Sequence, residues 1–226
     1  KRGVILQSNF VYACSNRIIL VRNNHIAEAV FADIGTDHAL LPVALIESGR
    51  CTKGYACDIG VGPLESAGRT VVGAGLEDRI ERILYDGIPP VCRDCDTIII
   101  AGMGGLLIAD ILSRAVIGKH TQLLLQPMTK APELRRWLIE NGFCINREQY
   151  VRQGKMLYVV LDVCRGQSLP YDAAALEVGM FTDSEVGREY LARRIDLLCL
   201  RRDNEKRAGR DTAALCKLIE ELEKRR

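Results

Sequence analysis

Ala29-Val30-Phe31-Ala32-Asp33-Ile34-Gly35-Thr36-Asp37-His38 joins a short apolar run to a glycine turn crowded with ionisable groups. Leu40, Leu41, Ala44 and Leu45 follow at helical spacing over 39–47, and Gly49 stops them. A strand, a turn and a helix in that order begin a rhythm that the chain repeats. Residues 54–57 read as a second strand ended by Asp58, and Pro63 suits the first turn of a helix reaching about Val72. Residues 80–84 read as a third strand, ended by Asp86-Gly87. Thr97-Ile98-Ile99-Ile100 is an unbroken β-branched run, which predicts a fourth strand buried on both faces. A helix over 106–115, a fifth strand over 123–125 stopped by Gln126-Pro127, and a helix over 131–141 complete the alternation. Then the rhythm changes. Residues 143–152 and 155–163 are two strands separated only by Gln153-Gly154, a hairpin signal.

The predicted fold class is therefore α/β, with right-handed parallel crossovers and an antiparallel hairpin at one edge. Five parallel strands followed by a hairpin is the strand programme of the Rossmann-like methyltransferases, a fold-level analogy that assigns no chemistry by itself. The length of 226 residues fits one such domain plus an appendage. After Arg165-Gly166 the composition shifts, giving predicted domains at 1–165 and 166–226. In the second, Leu191, Ile195 and Leu198, then Leu215, Leu218 and Leu222, are spaced for a two-helix, coiled-coil-like hairpin turning near Gly209. Residues 1–26 read irregularly, with Asn9, Asn16, Asn23 and Asn24 interrupting apolar runs; a trimmed or incomplete N-terminus is expected there.

Composition excludes several classes. Hydrophobic residues at 48% and charged residues at 27% argue against a disordered chain. A net charge of +2 excludes binding to nucleic acid by bulk charge, and 5% aromatic residues argue against a stacking platform for single strands. The longest apolar stretch, 97–109, is broken by three glycines and is too short to span a bilayer, so no membrane partner is expected. Nine scattered cysteines fit reduced thiols in a cytoplasm better than a disulfide framework. Cys92 and Cys95 form the one close pair, but nothing completes a zinc set; they read as two surface thiols in a turn, and no metal is expected. A monomer fits these features, with the oligomeric state left open.

Ligands of open parallel sheets bind outside the carboxyl ends of the strands. Four unusual segments fall there. Asp33, Gly35, Thr36, Asp37 and His38 form a turn with one glycine, a poor cradle for a pyrophosphate but a good approach for a cationic ligand. Asp58, followed by Ile59, is placed to accept from ribose hydroxyls, and Asp86-Gly87 suits an adenine amino group. Ala101-Gly102-Met103-Gly104-Gly105 keeps the floor open, with Met103 as a flexible apolar contact. Each segment also has a bland reading as a cap or turn. Taken together, and under the analogy to Rossmann-like methyltransferases, they suit a ligand with a sulfonium, a ribose and an adenine and no phosphate, which is S-adenosylmethionine.

The segments Ala32-Asp-Ile-Gly-Thr-Asp-His-Ala-Leu-Leu-Pro42, Ala56-Cys-Asp-Ile-Gly-Val-Gly-Pro-Leu64 and Ala101-Gly-Met-Gly-Gly105 resemble the bacterial tRNA (adenine-22-N1)-methyltransferase family. So do Gln126-Pro127 and Glu133-Leu-Arg-Arg-Trp-Leu138 with Asn141-Gly142. The likeness spans about residues 29–164, and the helical tail fits the family's plan. It implies methyl transfer from S-adenosylmethionine to N1 of an adenine in the tRNA D-arm, by a catalytic domain followed by a helical domain that helps hold tRNA. Residues 188–210 carry eight Lys/Arg against four Asp/Glu, and under this resemblance Arg188, Arg193, Arg194, Arg201 and Arg202 become the expected tRNA contacts. The departure is upstream, where the family opens with an amphipathic helix.

N1 of a neutral adenine carries a lone pair, so attack on the sulfonium methyl needs no strong base; positioning and electrostatics should dominate. Asp37 is the expected acid near the reacting centre, with His38 and Met103 beside it. The Watson–Crick edge must be unpaired before reaction. Two rivals stay open: a methyltransferase of small molecules, and a non-catalytic module that binds RNA or a partner on the same fold.

Overall fold

The computed structural model describes residues 29–180 and 184–226. The readings of residues 1–26 lie outside the described residues. Strand β1 (Val30–Ile34) leads to α1 (Leu40–Glu47), β2 (Lys53–Asp58), α2 (Val61–Gly73) and β3 (Ile80–Leu84). A 3-10 turn (Pro90–Cys92) precedes β4 (Thr97–Gly104), α3 (Gly105–Ser113), β5 (Gln122–Thr129) and α4 (Ala131–Glu140). The hairpin β6 (Phe143–Gln153) and β7 (Met156–Arg165) closes the sheet. Helices α5 (Ala173–Val178), α6 (Glu185–Arg207) and α7 (Ala213–Glu223) form the tail.

The seven strands lie in the order β3-β2-β1-β4-β5-β7-β6. β1 to β5 are parallel, and β7 pairs antiparallel with both β5 and β6. Among the parallel strands, sequence order therefore runs outward in one direction from β1 and in the other from β4. The crevice where it reverses lies between the ends of these two neighbours.

Alternation explains the layers. Ile98 and Ile100 pack with Ala32, Ile34, Leu123 and Leu125 on the face covered by α3 and α4. Ile99 packs with Phe31, Ala56 and Leu124 on the other face, under α1 and α2. Both faces of β4 are covered, which is why its run is β-branched throughout; burying each isoleucine contributes about 1.5–3 kcal/mol. The tail adds Val178, Leu191, Ile195, Leu198, Ile219 and Leu222 to the same core as α3 and α4.

Three readings change. The tail is not a hairpin alone: the short α5 precedes α6 and α7 and is capped by Asp172, whose carboxylate accepts from Ala175 N at 2.6 Å. β5 does not stop at Gln126-Pro127 but continues to Thr129. Cys92 and Cys95 are not surface thiols: they are 0% and 3% exposed and join the core. The 3-10 turn folds them inward, and the hydrogen bond with Cys57 pushes the Cys92 pKa up to about 12, so this thiol stays protonated and inert. Among the described residues no group of three or more His, Cys, Asp or Glu is placed to hold a metal ion.

Candidate active site

The crevice between β1 and β4 brings together the residues that the sequence singled out at these strand ends. Asp33 sits in register between Ala56 of β2 and Ile99 of β4, and the residue is only 7% exposed. Burial pushes its pKa up to about 6; the Thr36 hydroxyl offsets part of the rise and the Asp58 charge adds to it. No cation pairs with Asp33 among the described residues. Beyond it the chain turns sharply: Gly35 N and Thr36 N both donate to Cys57 O, at 2.8 and 3.0 Å. Gly35 has φ +81°, and an added Cβ would overlap the Met103 methyl. Thr36 Oγ1 is buried, with the Asp33 carboxylate as its polar neighbour.

Asp37 and His38 stand at the rim, with His38 Nε2 3.4 Å from Asp37 Oδ2. Asp58 ends β2, and its Oδ1 accepts from Gly60 N at 2.7 Å. Ile59 beside it is 69% exposed, as are Leu84 at 56% and Tyr85 at 42% past the end of β3. These open apolar side chains neighbour Asp58 and Asp86 along the chain. Gly87 has φ +95°. Asp86 already has a partner in the chain. Arg114 from the end of α3 holds both its oxygens at 3.2 Å, so a ligand amine must compete with an exposed ion pair of small net worth.

Ala101, Gly102 and Met103 approach from β4. They are still strand, but bulged: the pairing with β5 shifts register between Ala101 and Met103. Gly102 has φ +78° with open space around it, and its N–H donates to Gln126 Oε1 at 2.9 Å. Two non-glycine residues also adopt left-handed backbone, Ala39 at φ +50° and Lys130 at φ +59°. Both are strand-to-helix turns on this face, and each costs about 1–3 kcal/mol of strain that the surrounding structure must offset.

The donor set fits the sulfonium cofactor expected from the sequence. A buried carboxylate without a cation among the described residues and a turn too tight for a side chain are features that a cationic, phosphate-free ligand would satisfy. Asp33, Asp37 and Asp58 make a phosphate-lined ligand unfavourable here.

The five arginines of the tail are more engaged than a free basic stripe. Arg193 donates to Lys155 O at 2.9 Å, Arg194 to Glu177 at 2.9 Å, Arg201 to Glu205 at 2.8 Å and Arg202 to Asp203 at 2.9 Å. Arg188 also has a partner. The charge runs of α6 thus pair largely within the protein. Sequence reasoning named Gln126 only as a strand stop and a motif residue; its amide inside an otherwise apolar strand was the available signal.

Comparisons with known proteins agree with this geometry. A family model described as a methyltransferase domain matches residues 14–161. The tRNA (adenine(22)-N(1))-methyltransferase of Bacillus subtilis strain 168 is 35% identical over 166 residues, 71% of this chain and 69% of that protein. The crystal structure of the B. subtilis m1A22 tRNA methyltransferase superposes with a TM-score of 0.75 at 28% identity, covering 95% of this chain and 93% of the other. A Streptococcus pneumoniae protein solved with S-adenosyl-L-methionine superposes with a TM-score of 0.78 at 26% identity, covering 96% and 97%.

Proposed function

The chain belongs to the tRNA (adenine(22)-N(1))-methyltransferase family, and from that premise we propose that it methylates N1 of adenine 22 in the D-arm of tRNA, using S-adenosylmethionine. The observation that carries the chemistry is the buried Asp33 carboxylate at the β1/β4 crevice, which no cation neutralises among the described residues. When bound, the cofactor supplies an electrophilic methyl on a positively charged sulfur.

The chain's own residues do the rest. Asp33, Gly35, Thr36, Ala101 and Gly102 would hold the methionine end, and Asp58, Ile59, Asp86 and Gly87 the nucleoside end. The tight turn at Gly35 lets the ligand approach backbone, and the acids favour a cation there. Asp37 and His38 stand at the open rim and Met103 over Gly35, where a flipped-out base would enter. Asp37 is proposed to accept from the adenine amino group, which becomes more acidic as N1 gains the methyl. The absence of an Asn-Pro-Pro-Tyr type segment after β4 separates this site from those that methylate the exocyclic nitrogen. The rigid strand ends supply positioning, the main requirement of an attack that needs no strong base.

The division of labour is also part of the proposal. Residues 1–165 would carry the reaction and 166–226 would contact tRNA, with Arg188, Arg193, Arg194, Arg201 and Arg202 exchanging weak surface pairs for phosphates. No helix among the described residues is long and apolar enough to cross a membrane. A cytoplasmic location, where tRNA is available, completes the reading.

The test is methyl transfer from labelled S-adenosylmethionine to bulk bacterial tRNA, followed by nucleoside analysis. Label in 1-methyladenosine, lost when adenine 22 is replaced, is the expected result. Label in 6-methyladenosine, or label confined to small molecules, would contradict it.

A further inference from the structure

Gln126 is 1% exposed inside β5, in the run Leu123-Leu124-Leu125-Gln126-Pro127. A buried amide in an apolar strand needs partners, because an unpaired one costs more than an apolar residue of the same shape. The neighbouring strand explains it. β4 and β5 pair regularly from Thr97–Gln122 to Ala101–Gln126, and the next pairs are Met103–Pro127 and Gly104–Thr129. Gly102 is the extra residue of a bulge, so the ladder leaves its N–H without a backbone acceptor. Pro127, across the bulge, contributes no N–H of its own.

The Gln126 side chain fills the gap. Its Oε1 accepts the Gly102 N–H at 2.9 Å, while Nε2 lies 3.5 Å from the Met128 sulfur, a weak acceptor. The donor at Gly102 fixes which end of the amide is oxygen. The consequence falls on the next residue: Met103 is turned so that its methyl occupies the space beside Gly35, closing β4 over the β1 turn. Gly102 meets nothing within 4 Å of an added Cβ, so its left-handed backbone is not imposed by crowding.

We propose that Gln126 is a positioning residue of the methyl-transfer site: its carbonyl oxygen holds the bulged Gly102 amide and so sets Met103 over Gly35. This deepens, and rests on, the methyltransferase reading. Gln126 acts through Gly102 and Met103 and touches no substrate itself. It makes the floor of the crevice rigid before the base arrives, and a floor that wanders by an ångström misplaces the attacking nitrogen.

The experiment compares wild type, Gln126→Met and Gln126→Glu. Three quantities are measured: kcat on full-length tRNA, S-adenosylmethionine affinity by calorimetry, and hydrogen exchange at the Gly102 amide. Gln126→Met removes the acceptor at similar volume; kcat should fall about ten- to a hundredfold with cofactor affinity little changed and Gly102 exchange accelerated. Gln126→Glu keeps an oxygen acceptor and should recover most of kcat and of the Gly102 protection, which a merely space-filling role would not predict. Wild-type kcat in Gln126→Met, or a loss that Gln126→Glu shares while Gly102 stays protected, overturns the proposal. Should Gln126→Met not fold, Gln126→Asn replaces it, with an amide too short to reach Gly102 and the same expectations. A wild-type protein that never methylates tRNA overturns the functional reading instead, and the Gly102 exchange comparison still decides the role of Gln126.

Discussion

Two buried polar regions of this molecule differ in character: the crevice between β1 and β4, and the joint beneath the helical tail. At the crevice Asp33 is buried without a cation among the described residues, with the Thr36 hydroxyl as its polar neighbour. At the joint Arg135 of α4 is 0% exposed and uses all three guanidinium nitrogens. Nε and Nη2 donate to Glu148 of β6, with Nη2 2.7 Å from Oε2. Nη1 donates to Leu176 O and Glu177 O at 3.0 and 3.2 Å, capturing the carbonyls at the end of α5. Glu148 also accepts from Tyr171 Oη and Met180 N, both at 3.3 Å, and Tyr150 Oη donates to Val178 O. Gly179 adopts φ +85° where any Cβ would overlap the Glu148 carboxylate. The satisfied network belongs to architecture, fixing the tail on the sheet. The uncompensated Asp33 charge is what the proposed cofactor would satisfy. Burial alone does not separate the two; completeness of bonding does.

The comparison can be broken at its larger end first. Arg135→Ala strands Glu148 in the core and should cost about 3–5 kcal/mol, read as a large drop in denaturation midpoint. Glu148→Ala should cost a similar amount, and the double substitution should cost less than the sum because the two share one network. A fully additive pair would mean that the joint is not the coupled unit described here.

The crevice should respond with the opposite sign. Asp33 holds its proton more tightly folded than unfolded, so the free protein loses stability as pH rises from about 4 to about 6, and is level above that. Asp33→Asn should remove this slope and stabilise the free protein at neutral pH by up to about 2–3 kcal/mol, while abolishing cofactor affinity. Chemical denaturation across that pH range checks the first part. A slope unchanged by the substitution would place the titration elsewhere.

A smaller effect sharpens the joint. Tyr150→Phe loses one buried hydrogen bond to Val178 O and should cost about 1 kcal/mol, leaving cofactor affinity unchanged. A comparable loss of affinity would show that the two regions communicate.

Much of this architecture was legible in sequence because buried parallel strands advertise themselves. The run Thr97 to Ile100 is apolar on both faces, and residues 80–84 form β3 with the boundaries read from the chain. The carboxyl ends of parallel strands converge by construction, so Asp33, Gly35 and Gly102 could be placed near one another before any coordinates. What was not legible depends on partners far along the chain. Arg114 reaches Asp86 from 28 residues away, and Arg135 finds Glu148 only once β6 packs on α4. The burial of Cys92 and Cys95 follows from how the 3-10 turn folds against β2 and β4, and a turn-like sequence gives no sign of it. Gln126-Pro127 read as a stop because proline usually ends a strand; here the bulge at Gly102 gives it a place where no N–H is required.

The most direct test of the account is a calorimetric titration of S-adenosylmethionine into wild type and Asp33→Asn, each at pH 7.5 and pH 5. The account predicts that wild type binds, that its affinity weakens at the lower pH as Asp33 takes up a proton, and that Asp33→Asn binds poorly at both. Equal affinity for the two proteins at pH 7.5, with the variant still folded, would contradict it.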